Sequence, residues 1–316
     1  MTTIAPPISF SATNPDLGYD YVFAAQQILM ELQDSLPLVS MGTVPLVGDL
    51  AGSGSDVLRV TEMGNVGFSQ RMAAIATEDG TITASSITTA YTEITIGQYG
   101  LAHEETFASQ ILGREKGVSL DALVAQVPNS WIATHRYLVC VEGATFGTII
   151  GSATAALSVD DWIDLTNASN ETLGSMAPST VLAPQQVSQL TDSFRTEPAF
   201  QSLASSFAEL KRVQGMQMRP NFAGLGVDIA MTDDVVQSGG AYLGFAMSPG
   251  GIGWARASTN SATPQGTTLL VPEFGLLIVR VNKDENAKAR YEARAWMGVN
   301  SGSSNVFFQR RIRSVV

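Results

Sequence analysis

The chain has 316 residues, room for one large domain or two, and at 45% hydrophobic it can bury a sizeable core. Its 29 acidic residues against 18 Lys and Arg leave a net charge of −11, which disfavours sequence-independent binding to a phosphate backbone. Charged residues make up only 15%, so much of the surface is expected to be covered by partners, and the single cysteine, Cys140, excludes an intrachain disulfide framework and a multi-cysteine zinc site.

Residues 1–15 carry Pro6, Pro7 and Pro15 among Ser, Thr and Asn, an extended arm that is not helical. The arm either crosses a neighbouring molecule or folds back on its own domain. Its opening, MTTIAPPISF, lacks the basic start and apolar core of a signal peptide. No apolar run approaches the roughly 18 residues a membrane span needs. Residues 16–36 predict a helix, with Val22, Ala25, Gln26, Leu29, Leu32 and Leu36 near helical spacing and Pro37 ending it. Residues 37–55 are apolar but broken by proline and glycine, a loop with a short strand.

Val57, Leu58 and Val60 open a long excursion that runs out and back to residue 101. Glu78-Asp79-Gly80 is its turn signal, because Asp-Gly supplies the positive φ angles of tight hairpins. On the return, Thr92, Ile94 and Ile96 alternate with Glu93 and Thr95, the period of a half-buried strand. The excursion is rich in Ala, Ser and Thr and poor in large core residues. A long hairpin of that composition is not stable alone and needs another surface to lie on.

Residues 103–112 are expected to form a short helix, with Glu104 and Glu105 favourably placed in its first turn. Ser119 reads as the cap of the next helix. Pro128 is expected to break or kink that helix and to open another as its first-turn proline. Residues 129–143 then predict a long helix, with Trp131, His135, Leu138 and Glu142 in one row and Ile132 and Val139 in a second. Residues 147–156 are small and flexible, a domain boundary. Ser158-x-Asp160-Asp161 caps a helix with Trp162, Ile163 and Leu165. A strand ends at Ala183-Pro184, and a further helix places Val187, Leu190 and Phe194 on one face. Strands are expected at 226–229, 242–247, 276–281 and 289–299, with a polar turn at 282–286. The tail, 306–316, is strand-like and carries Arg310, Arg311 and Arg313. A solvated or salt-bridged strand is the favoured reading of those arginines over contact with DNA.

Chemistry is sparse. His103-Glu104-Glu105-Thr106-Phe107 starts like a zinc-protease helix, but Phe107 stands where the second histidine must be. His135 reads as a packing or interface histidine, and Cys140 as buried and inert. No Gly-x-Ser-x-Gly elbow and no Gly-Lys-Ser/Thr phosphate loop occurs. Asn282-x-Asp284-x-Asn286 starts like a calcium loop, but Ala287 replaces the needed glycine. No catalytic, cofactor-binding or metal-binding residue is assigned.

The order Glu78-Asp79-Gly80, Ile82, Ser86-Ile87-Thr88, Glu93-Ile94-Thr95-Ile96, Tyr99-Gly100, Glu104-Glu105 resembles the extended-loop region of tailed-phage major capsid proteins of the Hong Kong 97 type. The run from Ser158 through Pro184 to Phe194, then Gly226-Val227-Asp228-Ile229, Asp233-Asp234 and Gly250-Gly251-Ile252-Gly253-Trp254, resembles the axial domain of the same family. The resemblance covers roughly residues 55–300, by pattern rather than by long identical blocks.

It implies an α+β fold with an N-terminal arm (1–17), an N-terminal helix and connection (18–54), and an extended loop that is a long β-hairpin (55–100). A peripheral domain with a spine helix (101–150) and an axial domain (151–275) follow, then strands returning to the peripheral domain and a C-terminal tail (276–316). The implied function is a major capsid protein, not an enzyme. It would self-assemble as pentamers and hexamers into the icosahedral head of a tailed bacteriophage, enclosing double-stranded DNA without sequence-specific binding and without a membrane. A negative inner wall would keep that DNA from sticking. The virion is the implied location, after assembly in the host cytoplasm. Implied partners are other copies of the chain, a scaffolding protein, a portal and, optionally, decoration proteins. The short arm suggests a separate scaffold or a scaffold segment ahead of the numbering. Pro6, Pro7, Phe68, Arg71, Met72, Glu78 and Asp79 are the expected assembly contacts. Two alternatives remain: an encapsulin-like compartment shell, and an enzyme whose site the sequence hides.

Overall fold

A computed structural model of the protein describes residues 28, 44–51, 53, 55–63, 89–106, 118–173, 178–196, 212–213, 217–218, 228–258, 267–271, 274–283, 288–304 and 307–316. The arm, the Glu78-Asp79-Gly80 turn and most of the helix expected at 16–36 lie outside these residues. Ile28 alone of that helix is described, and it is helical and buried.

Among the described residues the chain builds two six-stranded sheets joined by one long helix, and two further two-stranded ribbons. At the centre of the first sheet is β15 (Lys288–Ser301), a strand of 14 residues. Its residues Lys288 to Ala295 pair antiparallel with both β14 (Leu276–Lys283) and β4 (Gly97–Thr106), so these two occupy opposite edges. Met297 pairs with both Gly97 of β4 and Arg256 of β12 (Ile252–Arg256), so β12 follows β14 along one edge. β1 (Leu46–Asp49) and β13 (Thr267–Val271) complete the sheet beside β12 and β14. On β15, Tyr291, Ala293, Ala295 and Met297 are buried while Glu292, Arg294 and Trp296 alternate outward and are half-buried, the two-residue period of a strand with one closed and one more open face.

α1 (Val118–Gly143) is 26 residues long, about 39 Å at 1.5 Å per residue. It covers the buried face with Leu123, Val124, Val127 and Trp131. Pro128 neither ends the helix nor opens a new one. A mid-helix proline costs about 3 kcal/mol, but Val124, Val127 and Trp131 are buried on either side of it. Each such side chain returns about 1.5–3 kcal/mol on burial, so packing wins over local propensity. The helix begins one residue ahead of Ser119, which therefore lies in its first turn and not at its cap.

A second correction concerns residues 103–106, expected to be helical. They continue β4, paired from Lys288↔Thr106 to Met297↔Gly97. The cause is a period-two pattern, Tyr99, Leu101, His103, matched to an exposed edge of β15; 107–112 lie outside the described residues.

The second sheet runs β5 (Ile149–Gly151), β16 (Gln309–Val315), β11 (Ala241–Met247), β6 (Ser179–Leu182), β9 (Asp228–Met231), with β10 (Gln237–Ser238) beside β11, while β7 (Arg212–Val213) and β8 (Gln217–Met218) pair with each other as a short ribbon. The expected flexible boundary at 147–156 thus contains a strand, paired parallel with the tail. The expected division at residue 275 does not separate the sheets. β12 and β13, before it, join the first sheet, and β16, after it, joins the second, because both sheets complete themselves with late strands. α2 (Val159–Leu173) and α3 (Pro184–Thr196) cover one face of this sheet through Trp162, Leu165, Val187, Leu190 and Phe194. α2 starts in a reciprocal cap: the Asp161 N–H donates to Ser158 Oγ at 3.2 Å, and the Ser158 N–H donates to Asp161 Oδ2 at 2.9 Å.

The end of α1 packs on the other face. A Cβ on Gly143 would lie 2.2 Å from the Phe245 ring, so only glycine lets helix and sheet approach this closely. Arg136 of α1 donates to Asp234, which follows β9, and ties the helix to the second sheet. Among the described residues no helix is long and apolar enough to cross a membrane.

Candidate assembly surfaces

β2 (Val57–Met63) and β3 (Thr89–Thr95) form an antiparallel ribbon that pairs with no other described strand. Its register, Val57↔Thr95 to Met63↔Thr89, makes residues 64–88 the connection at its far end. The sequence alternation is realised here: Ile94 is buried, Thr92 is half-buried and Tyr91, Glu93 and Thr95 are exposed.

The root of the ribbon is fixed on both legs. On the first, Asp49 at the end of β1 accepts from the Ser258 N–H at 2.9 Å, the Ala51 N–H at 3.0 Å and Arg256 Nε at 3.0 Å. Burial alone would raise the Asp49 carboxyl, but these hydrogen bonds outweigh it and hold it below its ordinary value. Leu58 then packs over Gly48, where a Cβ would lie 2.4 Å from it. On the second leg, Asn300 Nδ2 donates to the Glu93 carbonyl at 2.5 Å, and Gly298 admits the Thr95 carbonyl. Beyond the root the outward face carries Arg59, its guanidinium 4.5 Å from the Tyr91 ring centre and 3.7 Å from Glu93. Those groups are well exposed and contribute little to stability, which leaves them available to a partner.

A second surface is the open part of the outward face of the first sheet, over β4 and β15; over β14 the same face is closed by Leu277 and Val279, with Trp296 against them. Gln98, Gly100 and Ala102 of β4 lie beside Arg290, Glu292 and Arg294 of β15 and line an open trough of about 460 Å³. Glu292 holds both arginines: Arg294 Nε donates to it at 2.9 Å, and Arg290 Nε stands 2.8 Å away as an ion pair without hydrogen-bond alignment. Glu104 lies 3.8 Å from Arg290, in place of the helix-start role expected of it. The Arg-x-Glu-x-Arg alternation in residues 290–294 was the sequence signal for this row.

The groups weighed for chemistry are scattered. His103 Nε2 shares a hydrogen bond of 2.9 Å with Gln126 on α1. His135 is buried, stacked on Trp131 at 5.3 Å and edge-on to Trp254, and burial lowers its pKa to about 4. It is therefore neutral at physiological pH. Cys140 is buried, and burial raises its thiol to about 12. Among the described residues no three His, Cys, Asp or Glu side chains are grouped to hold a metal. The expected contacts Pro6, Pro7, Phe68, Arg71, Met72, Glu78 and Asp79 all lie outside the described residues.

No protein-family model and no curated protein matches the chain. Solved structures do. The capsid of Ralstonia phage GP4 matches at TM-score 0.52 and 12% identity, over 86% of each chain. The capsid of Helicobacter pylori bacteriophage KHP30 matches at 0.52 and 9%, over 89% of this chain and 92% of that one. The capsid of an empty GTA particle matches at 0.50 and 10%, over 99% and 96%. At such identities the likeness is one of fold, and the fold is the α+β fold of Hong Kong 97-type capsids.

Proposed function

We propose that this chain is a major capsid protein, a structural subunit and not an enzyme, whose copies close an icosahedral shell of pentamers and hexamers around double-stranded DNA. A fold alone does not carry a function. The observation that carries this one is the ribbon β2–β3, anchored firmly at its root and paired with no other described strand, on a fold shared with the solved capsid subunits. Such a ribbon is the form a strap across a neighbour takes. In this reading the first sheet with α1 is the peripheral domain and the second sheet with α2 and α3 the axial domain. The arm and the far end of the ribbon supply contacts between copies through Pro6, Pro7, Phe68, Arg71, Met72, Glu78 and Asp79. A tailed phage is the host particle that the likenesses favour, with a scaffold and a portal as partners. The match to the GTA particle favours a second reading, the same shell in a particle that is not itself a phage.

The test is sedimentation and negative-stain microscopy of the purified protein, with scaffold added where it is needed. Capsomers or closed shells are expected. A protein that stays monomeric under every assembly condition refutes the reading.

A further inference from the structure

The second sheet separates two sets of charges. α2 carries no Lys or Arg. Its Asp160, Asp164 and Glu171 are exposed and fall at i, i+4 and i+11, which places them on one side of the helix in a stripe about 16 Å long. Trp162, Leu165 and Ser169 fill the other side against the sheet. No ion pair engages the three carboxylates among the described residues.

Two arginines lie on the far face of the same sheet. Arg313 stands directly opposite Leu243 and Arg311 opposite Phe245 in the antiparallel ladder, so their side chains share the face on which Phe245 meets Gly143 of α1. Neither has a carboxylate partner among the described residues. Arg311 Nη1 donates to the Ala144 carbonyl at 2.9 Å. The Nε–H groups of Arg311 and Arg313 are both withdrawn from solvent and have no acceptor among the described residues. Those Nε–H groups are out of reach of an outside molecule, but the Nη groups of Arg313 are neither withdrawn from solvent nor bonded among the described residues, and a carboxylate brought by another molecule can make charge-assisted hydrogen bonds to them.

We propose that the acidic stripe of α2 in one copy docks on Arg311 and Arg313 of the next copy. The inference rests on the shell reading and names a contact within its rings. Acid and base sit on opposite faces of one layer, so the contact is head-to-tail, and repetition of a head-to-tail contact closes a ring when the rotation allows. Carboxylates of a second copy fit better than nucleic acid, because two arginines on a chain of net charge −11 make a poor phosphate track.

Charge reversal tests it. Asp160 is left alone because it faces the positive end of α2, and Arg311 because it caps α1. Arg313→Glu, and separately Asp164→Lys with Glu171→Lys, should each raise the concentration needed for assembly about tenfold or more while leaving the thermal melt unchanged. The chain carrying all three changes should assemble at close to the wild-type concentration. An equimolar mixture of the two reversed chains should form even-membered oligomers that neither forms alone, because only alternating copies match. If Arg313→Glu melts early, Arg313→Gln replaces it, with weaker assembly and a flatter salt dependence expected. Wild-type assembly by the reversed chains, or no recovery in the combined variant and the mixture, overturns the contact. Normal shells that hold less DNA assign the arginines to polyphosphate and also overturn it. A wild-type chain that never assembles sinks the shell reading together with this contact, whereas a wild type that assembles while the reversals change nothing sinks the contact alone.

Discussion

Gly298 is a position where the backbones of the ribbon and the sheet approach closely, and Gly298→Ala tests how the root is held. A Cβ there would stand 2.3 Å from the Thr95 carbonyl oxygen and 2.9 Å from its carbonyl carbon. A carbon usually approaches a carbonyl oxygen no closer than about 3.3 Å, so the gap must open by about 1 Å. The atoms in the way are backbone, and no rotamer change relieves them. Overpacking of this kind costs about 1–3 kcal/mol. Opening the gap also loosens Ile94, only 2% exposed, and the Asn300 to Glu93 hydrogen bond. That bond adds about 0.5–1.5 kcal/mol, so the total loss is about 1.5–4.5 kcal/mol. Equilibrium urea denaturation measures it, and hydrogen exchange of the amides at 92–96 locates it. Gly147→Ala is the control: nothing lies within 4 Å of its Cβ, and a change of less than about 0.5 kcal/mol is expected. If Gly298→Ala is as stable as the control, with unchanged exchange at 92–96, the close root described here is wrong.

Protonation of His135 should destabilise the protein in acid. Its folded pKa, about 4, lies below its ordinary value of 6.5, so the unfolded state binds the proton first and stability is lost as pH falls from 6.5 towards 4. The loss is on the order of 3 kcal/mol, and His135→Phe, which keeps a ring on Trp131, should flatten that part of the melting-versus-pH curve. Cys140 should resist thiol reagents at pH 8 in the folded protein and react on unfolding; fast stoichiometric labelling of the native chain would contradict its burial. Replacement of residues 72–90 by a short Gly-Ser turn should leave circular dichroism and subunit melting nearly unchanged and abolish closed particles. An unfolded subunit would instead place that segment in a core.

Legibility followed how local the signals are. The unit from Ser158 to Phe194 was readable because each element announces itself: a cap with Asp161, a strand stopped by Ala183-Pro184, and a row of Val187, Leu190 and Phe194. β4 was misread because its acidic pair, Glu104-Glu105, imitates a helix start, while its partner strand lies almost two hundred residues away. Pro128 misled for the opposite reason. Its local cost is real, and burial of Val124, Val127 and Trp131 around it is a tertiary fact. The ribbon strands were legible from alternation, yet the glycines at its root, Gly48 and Gly298, gave no signal beyond their identity. The separation of the α2 carboxylates from Arg311 and Arg313 depends on the register of β11 with β16, which no spacing in the sequence encodes.

The ribbon also defines what an isolated subunit cannot do. Its 14 paired residues cost roughly 1–2 kcal/mol each to order. Against that, Ile94 is the one fully buried side chain among its described residues, with Val57, Leu58, Val60 and Thr92 half-buried. At about 25 cal/mol per Å² of apolar area, these few side chains return only part of the cost. The root bonds from Asp49 and Asn300 fix where the ribbon leaves the sheet without lengthening its paired edge. In the shell reading proposed above, the subunit sets the direction of the ribbon and a neighbouring copy supplies the rest of the stabilisation, so that strands assemble between copies without leaving an aggregating edge on a finished core.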